Sequence, residues 1–293
     1  MSEPPLTPRT QGPGAPATLI NAPVTALRSA LYLSLLVSTV IPYALAVLLW
    51  SWVPNPRRYW LVTGWTRLAI AGGRWICGIR VRVQGREHLP AGPAIVLCKH
   101  QSAWETLWLT TAMPRPLTFV YKRELHLLPF FGWALATLRM INIDRARGSD
   151  AFEQVVQQGS ERLGRGWWIV IFPEGTRTAP GASPRYKTGG ARLAVRTGVP
   201  IIPIALNSGE CWPRRAFIKT PGTITVSIGP PLESRGKTAE ELARNVEDWI
   251  ESEMHRLAPH RYAGEALSVP GKASANAPAG ERSSPSANGA RTA

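Results

Sequence analysis

Hydrophobic positions fall in blocks along this chain, and the period changes from block to block. The longest uncharged stretch runs from Ser29 to Pro56, and its apolar part covers 30–53. As a helix that part would measure about 36 Å, enough to cross the hydrocarbon layer of a membrane with some tilt. Pro42 predicts a kink in it, and Trp50 and Trp52 are suited to a membrane interface. The next stretch, 59–79, mixes Trp60, Trp65, Leu68, Ile70 and Trp75 with Arg67 and Arg74. It predicts an amphipathic helix lying in the interface, and a core helix of the following domain fits the same pattern. A cleaved leader is the rival reading of the first block, because Ala44-Leu45-Ala46 resembles a cleavage site. The long stretch ahead of the block weighs against it.

Beyond residue 78 the pattern alternates between short apolar runs and segments of helical period. Runs at 79–83, 95–98, 117–121, 140–143, 167–171, 201–206 and 223–228 predict strands. Segments 102–112, 129–138, 150–163, 189–197 and 238–257 predict helices, the last opened by Thr238 as N-cap with Glu241 three residues on. This order predicts an α/β fold: a mixed, mostly parallel sheet flanked by helices, preceded by one or two membrane helices. The expected division is a disordered N-terminus over 1–23, a membrane part over 24–78, a catalytic domain over 79–260 and a disordered tail over 261–293. Both ends are rich in Pro, Gly, Ala and Ser or Thr, which cannot build a core.

Charge sharpens this picture. The chain has 293 residues and a net charge of +15. Nucleic acid, anionic lipid or a small phosphorylated substrate could each account for that. Arginines 57, 58, 67, 74, 80, 82 and 86 cluster just after the apolar block, against the one acid Glu87. Such placement favours a membrane surface over nucleic acid, and by the positive-inside rule it puts the domain on the cytoplasmic side of the inner membrane. Cys77, Cys98 and Cys211 are widely spaced, with no zinc-type pairing and no disulfide framework. No metal-ligand set stands out.

Two segments carry candidate chemistry. Phe172-Pro173-Glu174-Gly175-Thr176-Arg177 follows the strand predicted at 167–171, where Pro173 and Gly175 force a turn. The turn brings a carboxylate, a hydroxyl and a guanidinium to the sheet's edge, and a guanidinium grips phosphate through paired hydrogen bonds. His100 and Glu105 follow the strand at 95–98. An imidazole is suited to take a proton near neutral pH, and a carboxylate can hold its orientation. Glu105 could instead cap the next helix through Ser102. Cys98 and Ser102 are the weaker candidates for a nucleophile.

In order, the chain contains His100–Glu105; Lys122-Arg123-Glu124-Leu125 continuing through 128–132 to Ile143-Asp144-Arg145; 172–177 followed by Tyr186-Lys187-Thr188-Gly189-Gly190; and 199–204. This series resembles the glycerolipid acyltransferase family, specifically its bacterial 1-acylglycerol-3-phosphate acyltransferases. The family's usual acid is Asp, where this chain has Glu105. The resemblance implies acyl transfer from acyl-CoA or an acyl carrier protein, as co-substrate rather than bound cofactor. The acceptor would be the sn-2 hydroxyl of lysophosphatidate, a membrane lipid, giving phosphatidic acid. His100 would be the general base, Glu105 its orienting acid, and no covalent acyl-enzyme would form. Lys122 and Arg177 would bind the phosphate, with Arg123 and Arg145 as further candidates and Lys187 as an added cation. Glu174, Gly175, Thr176 and Pro203 would shape the site: Glu174 by orienting Arg177 or the turn, the Gly175 turn by offering oxyanion amides. The same chemistry on another acceptor, such as a lyso-ornithine lipid, and an inactive membrane-bound binding protein are the alternatives.

Overall fold

The computed structural model describes residues 22–122, 127, 132–133, 137–138, 140–143 and 149–263. Arg123, Arg145 and most of the helix expected over 129–138 lie outside them, as does the side chain of Lys122. So do 1–21 and 264–293, on which the two expectations of disorder mostly fall. In chain order the elements are α1 Ala22–Leu49, α2 Asn55–Trp75, β1 Ile79–Gln84, β2 Ile95–Cys98, α3 Trp104–Ala112, β3 Leu117–Lys122 and β4 Ile141–Ile143. They continue with α4 Ser149–Gly164, β5 Trp168–Ile171, α5 Gly189–Thr197, β6 Ile201–Leu206, β7 Gly222–Ile228, α6 Ala239–Leu257 and the single turn α7 Pro259–Tyr262.

The strands form one seven-stranded sheet in the order β1-β7-β6-β2-β5-β3-β4. Pairing is parallel throughout except between β6 and β7. The central strands β2 and β6 are buried along their whole length, so they read as continuous apolar runs rather than alternating ones. Val96, Cys98, Val170, Ile202 and Ile204 point to one face, where Trp104, Trp108 and Tyr59 of α3 and α2 cover them. Ile95, Leu97, Ile169, Ile201 and Ala205 point to the other, under Val155, Leu193, Val246 and Ile250 of α4, α5 and α6. The fold is the expected α/β sandwich with two core layers.

α1 is long and apolar enough to cross a membrane, with a mean hydropathy of 2.1. Leu27, Leu31, Val37 and Leu49 are exposed along it, an apolar surface that indicates membrane association. α2 departs from the interfacial helix expected over 59–79. It starts earlier, and Tyr59, Thr63, Thr66 and Ala69 are buried. The Tyr59 ring meets Trp167 at 5.7 Å. α2 is therefore in large part a covering helix of the domain, with Trp60 and Trp75 left exposed. α1 lies antiparallel against it: Tyr32 Oη donates to the Ala69 carbonyl (2.8 Å) and Trp65 Nε1 to Thr39 Oγ1 (3.1 Å).

Candidate active site

Beyond Cys98 the chain stays extended off β2, and the two-residue period of a strand sends Lys99 and His100 to opposite faces. His100 turns to the α3 side. Its Nδ1 lies 3.5 Å from Glu105 Oε2. That is longer than an optimal hydrogen bond, as is common before substrate tightens a site. The ring stacks on Phe172 with centroids 3.8 Å apart and is 12 % exposed, so it is neither sealed in nor loose.

Glu105 both caps and faces the imidazole. The carboxylate is fully buried in the first turn of α3. It accepts from the amides of Gln101 (2.9 Å) and Ser102 (2.8 Å) and from Ser208 Oγ, while Oε2 stays beside His100. The longer Glu reaches past the helix start and serves both sides. The helix begins at Trp104, not at 102, and Ser102 Oγ accepts from the Trp104 amide (3.0 Å). That fully buried hydroxyl is thus committed to the turn. Burial pushes the Cys98 thiol well up, with the carboxylates of Glu105 and Glu174 adding to the effect. Cys98 is a packed thiol rather than a nucleophile.

Lys99 turns to the α6 side and is fully buried. Its Nζ lies 2.6 Å from Glu251 Oε1, 3.0 Å from the Ala182 carbonyl and 3.6 Å from Glu174 Oε1. Tyr186 Oη and Ser183 Oγ also donate to Glu251 (2.6 and 2.7 Å). Glu174 accepts from the His100 amide (3.1 Å). Burial pushes its carboxyl up to about 7, although Lys99 and the His100 amide pull it down. Beyond the expected role of Glu174, orienting Arg177 or the turn, it braces His100 through the backbone. Thr178 completes the brace, donating its amide (2.8 Å) and its hydroxyl (3.1 Å) to the His100 carbonyl. Sequence reasoning missed the Lys99–Glu174–Glu251 cluster. Its signal was a lysine beside an apolar strand run, which has to find a carboxylate if it is buried.

A cleft of about 310 Å3 opens at His100. Val120, Ile143, Phe152, Val155 and Ile171 make its apolar part, and Gly175, Thr176 and Lys187 its polar rim. Gly175 has φ +71°, and a Cβ there would fall 2.6 Å from Lys187 Nζ, so glycine lets the ammonium lie over the turn. The Gly175 amide is already donated to the Phe172 carbonyl (3.0 Å), which removes it as an oxyanion donor. Arg177 is not among the residues lining this cleft. Its Nε is buried with no hydrogen-bond partner among the described residues, and its carbonyl accepts from Arg214 (2.7 Å). Pro203 also lies away from the cleft. In β6 it packs against Gly229, where a Cβ would come 2.8 Å from its Cγ and 2.6 Å from Trp249. Among the described residues no cluster of three His, Cys, Asp or Glu could hold a metal.

Residues 80–207 match the family model described as Acyltransferase. The 1-acyl-sn-glycerol-3-phosphate acyltransferase of Pseudomonas aeruginosa is 42 % identical over 241 residues, covering 80 % of this chain and 93 % of its own length. The chain belongs to the 1-acyl-sn-glycerol-3-phosphate acyltransferase family. The human 1-acyl-sn-glycerol-3-phosphate acyltransferase alpha is 33 % identical over 60 % of the chain and 63 % of its own length. Among solved structures, the 1-acyl-sn-glycerophosphate (LPA) acyltransferase PlsC from Thermotoga maritima shares the fold. The TM-score is 0.64 at 23 % identity, covering 80 % of this chain and 95 % of that one. In this member of the acyltransferase family, His100, Glu105 and the 172–177 turn meet at one end of the sheet, where β2 and β5 finish side by side.

Proposed function

We propose that this protein transfers a fatty acyl group from an acyl thioester to the sn-2 hydroxyl of 1-acylglycerol-3-phosphate, giving phosphatidic acid. The observation that carries this reading is the His100 ring, held beside the buried Glu105 carboxylate at 3.5 Å and lining a partly apolar cleft. With Nδ1 turned to Glu105, Nε2 is the nitrogen left for the substrate hydroxyl. It takes the hydroxyl proton as the oxygen attacks the thioester carbonyl. The C–O bond forms, the tetrahedral intermediate expels the thiolate, and the imidazolium returns the proton to sulfur. Glu105 stabilises the imidazolium between these steps. The substrate's hydroxyl is the nucleophile, so no acyl-enzyme is needed. The apolar part of the cleft suits an acyl chain. Arg177, Lys122 and Lys187 are the proposed phosphate contacts, with Arg123 and Arg145 as further candidates. The site would lie at the cytoplasmic leaflet, where a lysolipid keeps its tail in the bilayer; the apolar α1 and the arginines after it support this reading.

The test is acyl transfer to lysophosphatidate, with acyl-CoA and acyl carrier protein as donors and lyso-ornithine lipid as the competing acceptor. His100→Ala should lower kcat by roughly a hundred- to ten-thousand-fold. Arg177→Ala should chiefly raise the KM for lysophosphatidate. Full activity in His100→Ala would sink the general-base reading, and an unchanged KM would remove Arg177 from the phosphate site.

A further inference from the structure

A second crevice, of about 660 Å3, lies away from His100 and uses none of its residues. Three arginines from three elements converge on it: Arg28 from α1, Arg74 from the last turn of α2 and Arg80 from β1. Gly78, Pro221, Gly222 and Thr223 form much of the rest of the lining. None of the three arginines has a carboxylate within ion-pairing distance among the described residues. Arg74 is held over the Trp75 ring, its Cζ 5.2 Å from the centroid. A cation at a helix C-terminus is stabilised by the helix dipole, which explains Arg74 alone but not the convergence. Three uncompensated guanidinium groups around one hollow are suited to an anion with several oxygens.

The surroundings say which kind of anion. Leu27 and Leu31 flank Arg28 on α1 and are exposed, as are Trp75, Phe217 and Ile218. The 212–221 loop is tied to α1 where Lys219 N donates to Ser29 Oγ (2.9 Å), which sets its apolar tip near the same patch. A cationic hollow rimmed by exposed apolar side chains matches a charged headgroup with acyl chains attached. Topology adds the position. β1 and β7 run opposite to β2, so the starts of β1 and β7 share a sheet end with His100. By register His100 continues level with Val83 and Val226, so Ile79 and Gly222 project about 13 Å further out at that end. The crevice thus sits beside the apolar α1 at the end of the molecule where the acylation cleft opens.

We infer that the Arg28–Arg74–Arg80 crevice binds the headgroup phosphate of an anionic phospholipid, a second lipid distinct from the one being acylated. The bound lipid fixes the height and tilt of the domain on the leaflet. The detergent-solubilised full chain is titrated with dioctanoyl phosphatidylglycerol, dioctanoyl phosphatidylcholine and inorganic phosphate, and bound lipid is counted by native mass spectrometry. Wild type should retain phosphatidylglycerol over phosphatidylcholine, and R28Q/R74Q/R80Q should retain roughly tenfold less. R165Q/R196Q/R235Q, which removes the same charge at the opposite sheet end, should bind like wild type. Equal retention by the first variant, an equal loss in the second, or phosphatidylcholine held as well as phosphatidylglycerol would each overturn the site. Displacement by inorganic phosphate at the lipid's own concentration would make the ligand a free phosphate and overturn the lipid assignment. Thermal melts check folding. If the triple variant melts early, R80Q alone carries the test, since Arg80 is exposed on an edge strand.

Discussion

Lys99 and His100 leave the end of β2 in opposite directions, and each meets a carboxylate from a different helix. Glu174 stands between them, touching the ammonium of one and the amide of the other. One of its oxygens, Oε2, is buried with no hydrogen-bond partner among the described residues, which is consistent with a carboxyl that burial keeps protonated up to about pH 7. Its folded pKa is raised above the ordinary value of 4.5, so between those limits the folded state holds a proton that the unfolded chain has lost. The stability contribution is therefore present below about pH 4.5 and is lost as pH rises toward 7. Glu174→Gln removes this titration and keeps an acceptor for the His100 amide. Wild type should lose up to roughly 3 kcal/mol relative to Glu174→Gln across that window, measured by urea unfolding at several pH values. A difference that stays constant with pH would refute the assignment.

Helix starts do much of the positioning at the level of elements. The first turn of α3 supplies Glu105, and the segment leading into α5 supplies Lys187. Gly190 brings the start of α5 against the sheet, where a Cβ would fall 2.6 Å from Leu97 Cδ2. The 172–177 turn lies under Lys187 only because Gly175 adopts a left-handed conformation. Gly175→Ala should cost about 1–2 kcal/mol from the backbone alone. The ammonium, at the far end of a flexible chain, should swing away rather than clash. Melting by circular dichroism reads the first effect and the KM for the acceptor reads the second. A variant that melts early with an unchanged KM would take Lys187 out of substrate binding.

Across the whole molecule, α6 comes late in the chain but is tied to the catalytic strand through Glu251. Removing one partner of a buried pair leaves the other charge uncompensated. Glu251→Ala should therefore destabilise by about 3–5 kcal/mol, read from the urea midpoint, and the double variant Lys99→Met/Glu251→Leu should recover much of that. No recovery would mean that packing, not charge, ties α6 to β2. A partial loss of kcat in Glu251→Ala at temperatures where the protein stays folded is expected as well, because Lys99 and His100 are adjacent on one backbone.

The apolar runs at 95–98 and 201–206 became central strands with the expected bounds, because strands buried on both faces leave an uninterrupted hydrophobic record. α5 and the N-cap of α6 were equally legible: Thr238 Oγ1 accepts from the Glu241 amide at 3.2 Å, a local pattern that needs no distant partner. The order of the His, Glu and Arg blocks was enough to show a family resemblance, and acyl transfer is what that resemblance implies. What the sequence could not settle depends on groups far apart along the chain. Whether 59–79 covers a core or lies in an interface turned on what stood opposite Tyr59, and that was Trp167. Glu174 reaches Lys99 and the His100 amide because the β2–β5 pairing brings the two strand ends together. Pro203 left the site for the packing beneath Trp249. Local pattern is written in neighbouring residues, but the partner of a buried charge is chosen by the three-dimensional arrangement that buries it.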